Sequence, residues 1–216
     1  MKIIKPAIAL LCLLALCAPA RAIVDPFIRA GVDFSQFNAI DNIRDSSRSW
    51  NDRLSGWNAG CFVEAGLTLL GSHTLAVEAG YMKADNSVGE SENGLKSREQ
   101  IPLLLNYRRS FNLGPASLYL GLSAGMMSDK ASWRDDINGA AKNFASANWV
   151  ALYGATAGVG LKLGAHWGLD VGVRALAVNE KEYKDGALSD ADKSYSIGKS
   201  KVYLRPNARI ALSLRW

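Results

Sequence analysis

The sequence of 216 residues predicts an all-β fold, a transmembrane eight-stranded antiparallel up-and-down barrel preceded by a cleaved signal peptide. Three observations point there. Apolar and polar residues alternate with period two in eight separate segments. The connections between these segments alternate between tight turns and long polar stretches. No segment beyond the N-terminus approaches the roughly 20 consecutive apolar residues that a spanning helix needs.

The N-terminus reads "MKIIKPAIALLCLLALCAPARA". Lys2 and Lys5 precede an apolar run from Ala7 to Ala18, and Ala20-Arg21-Ala22 forms an A-x-A cleavage site. Residues 1–22 are therefore expected to be a signal peptide and residues 23–216 the barrel domain. The apolar run is too short for a membrane anchor, and Leu16 before Cys17 is not the small residue of a lipoprotein signal. Removing the leader takes Cys12 and Cys17, so Cys61 alone remains and no internal disulfide can form. It also takes Lys2, Lys5 and Arg21, leaving 22 basic residues against 20 acidic ones. The basic pI is mostly the leader's, so it gives no reason to expect a nucleic-acid partner.

The first strand is expected from Phe27 to Phe37, with Ile28, Ala30, Val32 and Phe34 on one face and Arg29, Gly31, Asp33 and Ser35 on the other. The second, Trp57 to Leu69, sets Trp57, Ala59, Cys61, Val63, Ala65, Leu67 and Leu69 against a polar face that only Phe62 interrupts. After the "LGSH" turn, Leu75, Val77, Ala79 and Tyr81 oppose Ala76, Glu78 and Gly80. The fourth carries Ile101, Leu103, Leu105 and Tyr107 opposite Gln100, Pro102, Leu104, Asn106 and Arg108, and Pro102 and Leu104 weaken its polar face. The fifth has Leu118, Leu120, Leu122, Ala124 and Met126 against Tyr119, Gly121, Ser123 and Gly125. In the sixth, roughly Ala147 to Leu163, Trp149, Tyr153 and Val159 share a face opposite Asn148, Gly154, Thr156 and Gly158. The seventh opposes Trp167, Leu169, Val171 and Val173 to Gly168, Asp170, Gly172 and Arg174. The eighth runs from Val202 to Trp216, with Arg205 and Arg209 on its polar face.

Long polar connections are expected at Asn38–Leu54, Lys83–Ser97, Ser128–Ser146 and Val178–Lys199. Alternation alone does not say whether the apolar face is inside, as in a soluble barrel, or outside against lipid. The polar face is rich in glycine and sparse in charge, unlike a wall exposed to water. Aromatic residues of apolar parity gather at strand ends, with Phe34, Trp57, Tyr81 and Trp149 toward the long loops and Tyr107, Trp167 and Trp216 toward the turns. Two such bands match interfacial girdles. Lipid also forbids an open sheet edge, so the last strand is expected to pair with the first.

With the apolar face outside, the interior receives Arg29, Asp33, Glu64, Glu78, Arg108, Asp170, Arg174, Arg205 and Arg209. An eight-stranded barrel is just wide enough for side chains to fill. These charges are expected to pair, because an isolated buried charge is costly. They would form either a structural plug or a path for protons or ions.

The segments "IPLLLNYRRSF", "LYLGLSAGM" and the terminal "RIALSLRW" resemble the small outer-membrane β-barrel family that includes OmpA transmembrane domains, OmpX and Ail-type proteins and opacity-like surface proteins. That resemblance covers the whole mature chain and implies insertion in the bacterial outer membrane. It implies that Ile210, Leu212, Leu214 and Trp216 form a C-terminal signal for the barrel-assembly machinery, with Trp in place of the more usual Phe. No peptidoglycan-binding domain of the OmpA type is expected after the barrel.

Some barrels of this kind modify lipid A. Here the only histidines, His73 and His166, fall in tight turns without a serine and acid beside them, so no catalytic residue is expected. No metal or cofactor motif appears. Cys61 has lipid-facing parity and reads as a small hydrophobe. Loops on a rigid scaffold commonly carry binding. "IDNIRDSSRSWNDRL" and "SDKASWRDDINGAAKNF" each mix both charge signs around a tryptophan, a composition suited to lipopolysaccharide headgroups or an extracellular ligand. The expected protein is a monomeric, non-enzymatic barrel in contact with outer-membrane lipid. A narrow OmpW-type channel for small hydrophobic solutes and a lipid A-modifying enzyme are its rivals.

Overall fold

Strong period-two alternation produces strands, and the computed structural model closes eight of them into a barrel in the order β1-β10-β7-β6-β5-β4-β3-β2. It describes residues 24–37, 56–85, 94–137, 140–181, 183–185, 195–197 and 201–216. The barrel strands are β1 (Val24–Phe37), β2 (Gly56–Leu69), β3 (His73–Asp85), β4 (Gly94–Leu113), β5 (Ala116–Ile137), β6 (Ala140–Lys162), β7 (Trp167–Glu180) and β10 (Lys201–Arg215). A small hairpin, β8 (Tyr183–Asp185) with β9 (Tyr195–Ile197), forms a separate two-stranded sheet. All neighbours in the barrel are antiparallel.

The seam between β1 and β10 runs from Phe27 opposite Arg215 to Ser35 opposite Asn207. Closure removes the free edge that an open sheet would present. The connections β2–β3, β4–β5 and β6–β7 are short, and they define a turn end. In the first of them the Ser72 amide donates to the Leu69 carbonyl, and both central residues have positive φ, 51° at Leu70 and 66° at Gly71. Positive φ at successive turn residues matches the right-handed twist of the flanking strands, supplied by glycine at one position and imposed on leucine at the other.

At the loop end the strands run further than the sequence pattern suggests. Lys83 to Asp85 continue β3, β4 begins at Gly94, and β5 and β6 stay paired to Ile137 opposite Ala140. The expected loop Ser128–Ser146 is thus mostly a hairpin, and Lys83–Ser97 and Val178–Lys199 are shorter than expected. Beyond the lipid, a strand's outer face meets water and no longer needs apolar residues. The outward Lys130 and Ser132 therefore look like loop residues while their inward neighbours Asp129, Ala131 and Trp133 are buried. Trp133, expected in a solvated loop, is 2% exposed. The segment 40–54 and the leader lie outside the described residues.

The two faces are inverted relative to a soluble barrel. Leu122 is 64% exposed and Val173 61%, whereas Glu64 and Glu78 are each 1% exposed. In a medium of lipid, exposed apolar area carries no hydrophobic penalty, and the polar residues are the ones to be enclosed.

Candidate functional site: a filled lumen and an aromatic outer wall

All nine expected inward charges lie inside the barrel. Near the turn end, Arg29 bridges Glu64 (Nη1–Oε2, 3.3 Å) and Asp170 (Nε–Oδ2, 3.1 Å). Arg108 reaches the same Glu64 oxygen at 2.5 Å. One level further in, Glu78 accepts from Arg174 Nη1 (2.9 Å) and Nη2 (2.7 Å), from Arg209 Nη1 (3.1 Å) and from Asn106 Nδ2 (2.9 Å). The Nε of Arg209 lies 2.9 Å from Asp33 Oδ1. The two-point contact of Arg174 with Glu78 is the strong, geometrically selective form of a charge-assisted hydrogen bond.

Residues that interrupt the polar face have places in this interior. Phe62 lies 3.8 Å from the Arg209 guanidinium, which stacks on its ring. Leu104 joins Met127, Val150, Leu152, Leu176, Val178 and Tyr203 in an apolar layer. Along β5 this layer falls at Met127, between Ser123 and Asp129, so it separates two polar levels. Interior glycines make the room. A Cβ on Gly158 would collide with the Tyr119 hydroxyl, and one on Gly172 would do the same. Tyr119 needs that gap to lie against Arg108, whose guanidinium is 5.4 Å from its ring centre.

Beyond the apolar layer lies an ion cluster that the sequence reading does not contain. Arg98 donates to both oxygens of Asp129 (Nε–Oδ1 3.0 Å, Nη2–Oδ2 2.6 Å) and to Glu180 Oε1 at 2.6 Å. Gln100 donates to Asp129 at 3.1 Å, and Arg205 donates to Gln100 at 2.5 Å. Arg205, one of the nine expected inward charges, belongs with this outer group. The signal that could have found the cluster is parity: Arg98, Asp129 and Glu180 all continue the inward phase of their strands. Among the described residues the buried charges are six arginines (29, 98, 108, 174, 205, 209) and six acids (Asp33, Glu64, Glu78, Asp129, Asp170, Glu180). The charges balance without a lysine.

Little space remains among these groups. A cavity beside Glu78, Leu104, Arg174 and Arg205 holds about 10 Å³, another beside Phe62, Arg108 and Arg209 also about 10 Å³, and one at the turn end beside Arg29, Arg108 and Asp170 about 30 Å³. The first two are at the lower limit for one water molecule.

On the outside, Phe34, Trp57, Tyr81 and Trp149 are exposed toward the loop end, and Tyr107, Trp167 and Trp216 toward the turn end. Tyr153 and Phe111 add to these exposed rings. Above Tyr81 the outer wall turns polar. Lys83 Nζ lies 2.9 Å from Asp85 Oδ2, and this hydrogen bond holds the lysine above its ordinary pKa. Ile210, Leu212 and Leu214 face outward from β10. Cys61 is a free, exposed thiol on the same wall. Of the two histidines, His73 shares a hydrogen bond with Tyr107 (2.9 Å) and His166 pairs with the Arg215 carbonyl (3.0 Å).

A family model described as the outer membrane protein beta-barrel domain matches residues 8–198. Among solved structures, Neisserial surface protein A is 14% identical with a TM-score of 0.55, covering 88% of this chain and 97% of that one. The outer membrane protein AlkL is 12% identical with a TM-score of 0.50, covering 92% and 94%. Ail, the attachment invasion locus protein of Yersinia pestis, is 11% identical with a TM-score of 0.49, covering 89% and 98%. At such identities the likeness is one of fold. No curated protein matches the sequence. With its faces inverted and a family match over most of its length, the chain belongs to the outer membrane protein β-barrel domain family, whose seat is the bacterial outer membrane.

Proposed function

We propose that this protein is a non-catalytic, monomeric outer-membrane barrel whose filled interior bars passage, and whose partners meet its outer wall and loop end. The observation that carries the reading is the lumen: among the described residues six arginines are balanced by six acids, with an apolar layer between two polar levels and cavities of about 10 to 30 Å³. A solute path would need a continuous wet column, and hydrated ions are wider than these gaps. The strands that run on past the aromatic band support a rigid platform for lipopolysaccharide contact or an extracellular ligand. In this reading the short turns face the periplasm, the leader ends at Ala22, and Ile210, Leu212, Leu214 and Trp216 are read by the assembly machinery.

The decisive experiment is conductance across a planar lipid bilayer holding the reconstituted protein. The expected result is no step above background at moderate voltage and no uptake of small apolar solutes into proteoliposomes. Discrete openings or solute flux would replace the plug with a channel. Unchanged lipid A on overproduction is the matching expectation for a protein without catalysis.

A further inference from the structure

One charge on the outer wall has no counterpart. Below the level of Tyr81, down to the turns, the outward positions of the described strands are apolar or aromatic except for Arg109 and His73. Arg109 is exposed, with Tyr107 before it and Phe111 after it on the same face of β4, and its guanidinium lies 5.4 Å from the Phe111 ring centre. Across the ladders it stands opposite His73 of β3 and Leu120 of β5. The arginines of the lumen each meet an acid or an amide, but no carboxylate of the described residues reaches Arg109.

Its depth is fixed by the fold. The amide of Ser110 donates to the Ser72 carbonyl at 2.7 Å, which sets Arg109 beside the β2–β3 turn. The β4–β5 hairpin continues past that level with Phe111, Leu113 and Leu118 exposed. The rim therefore has a step, with a cation at its inner corner and an apolar ledge beyond. A cation on the lipid face is tolerated only toward the interface, where phosphates are at hand. His73 adds a second polar group: its Nδ1 is tied to the Tyr107 hydroxyl at 2.9 Å and the rings are stacked. The other ring nitrogen has no protein partner among the described residues.

We propose that Arg109, with His73 and Tyr107, binds the phosphodiester of a glycerophospholipid in the periplasmic leaflet. A guanidinium takes two phosphate oxygens at once, the imidazole supplies a further donor, and Leu75, Leu118 and Leu120 receive the glycerol and acyl chains. The leaflet follows from the reading in which the turns face the periplasm.

The test uses the folded barrel in uncharged maltoside micelles, titrated with dihexanoyl phosphatidylglycerol and followed by NMR at the Arg109 guanidinium and the His73 ring. Saturable shifts are expected, about tenfold weaker binding in Arg109→Gln, and an intermediate loss in Arg109→Lys, which keeps the charge without the fork. A lysine variant equal to the parent would mean that Arg109 merely reaches water, and would overturn the site. So would linear shifts without saturation, or sodium phosphate saturating the same resonances. If Arg109→Gln does not fold, Tyr107→Phe carries the test: it frees His73 and should weaken binding severalfold, and no change overturns the proposal. Orientation is read separately. In a Cys61→Ser background, Ser72→Cys should react with an impermeant maleimide only in permeabilised cells. Labelling on intact cells would overturn the assigned leaflet even if the micelle titration saturated.

Discussion

Glu78 shows how much one residue can organise. Two arginines and an asparagine end on its carboxylate, the asparagine from the adjacent β4 and the arginines from β7 and β10 across the ring. Removing one member of a buried ionic group leaves the others charged and unpaired. Glu78→Ala should therefore cost about 3–5 kcal/mol in urea unfolding from lipid vesicles. The unboiled gel band would report whether it still closes. Gly158 is the opposite case, a residue whose value is its emptiness. Gly158→Ala sets a methyl against both the Tyr119 hydroxyl and the Val171 carbonyl oxygen and should cost about 1–3 kcal/mol, of which the part owed to Tyr119 should return in a Tyr119→Leu background. A full cost in both backgrounds would show that the gap serves something other than Tyr119.

At the scale of the strand, β5 crosses from lipid into water along a single unbroken ladder. Its outward positions change from Leu118, Leu120 and Leu122 to Ser128, Lys130 and Ser132 without a change in backbone. Leu122→Arg should then destabilise by about 2–4 kcal/mol, because a charge at mid-membrane has no water to meet. Ser132→Arg should move stability by less than about 0.5 kcal/mol. Equal costs would place the bilayer elsewhere on the strand. The same gradient explains what the sequence could and could not tell. Within the lipid the period-two pattern is enforced by solvent on one face and crowding on the other, so all eight barrel strands and the inward charges from Arg29 to Arg209 were legible. Past the girdle the outer face loses its apolar constraint, and Arg98, Asp129 and Glu180 look like loop charges although they hold the interior together. Arg109 escaped for another reason. It follows Arg108 directly, and two adjacent arginines read as one basic feature until the pleat sends them to opposite sides of the wall.

For the molecule as a whole, the buried charges of the described interior are neutral in sum and its cations are arginines, whose charge persists at any pH a cell meets. A silent bilayer trace is therefore expected to stay silent from neutral to mildly alkaline pH, where a lysine-based plug would begin to lose charge. Insertion is the other whole-molecule property. Deleting Trp216 should reduce the folded, heat-modifiable fraction more than shortening a connection at the loop end would, as measured on unboiled gels of membrane fractions. Comparable losses from both would remove the assembly role assigned to β10.

The seam from Phe27–Arg215 to Ser35–Asn207 has a kinetic meaning as well. Every other barrel neighbour follows its partner along the chain, so hairpins can form and extend with little loop-closure entropy to overcome. The last pairing joins residues nearly the full chain length apart, and it is the one contact that raises the mean sequence separation steeply. Closure should thus be the late, slow event of folding, and a sheet waiting for it would carry two raw edges. The barrel's stability in the membrane and its hazard on the way there come from the same nine residue pairs.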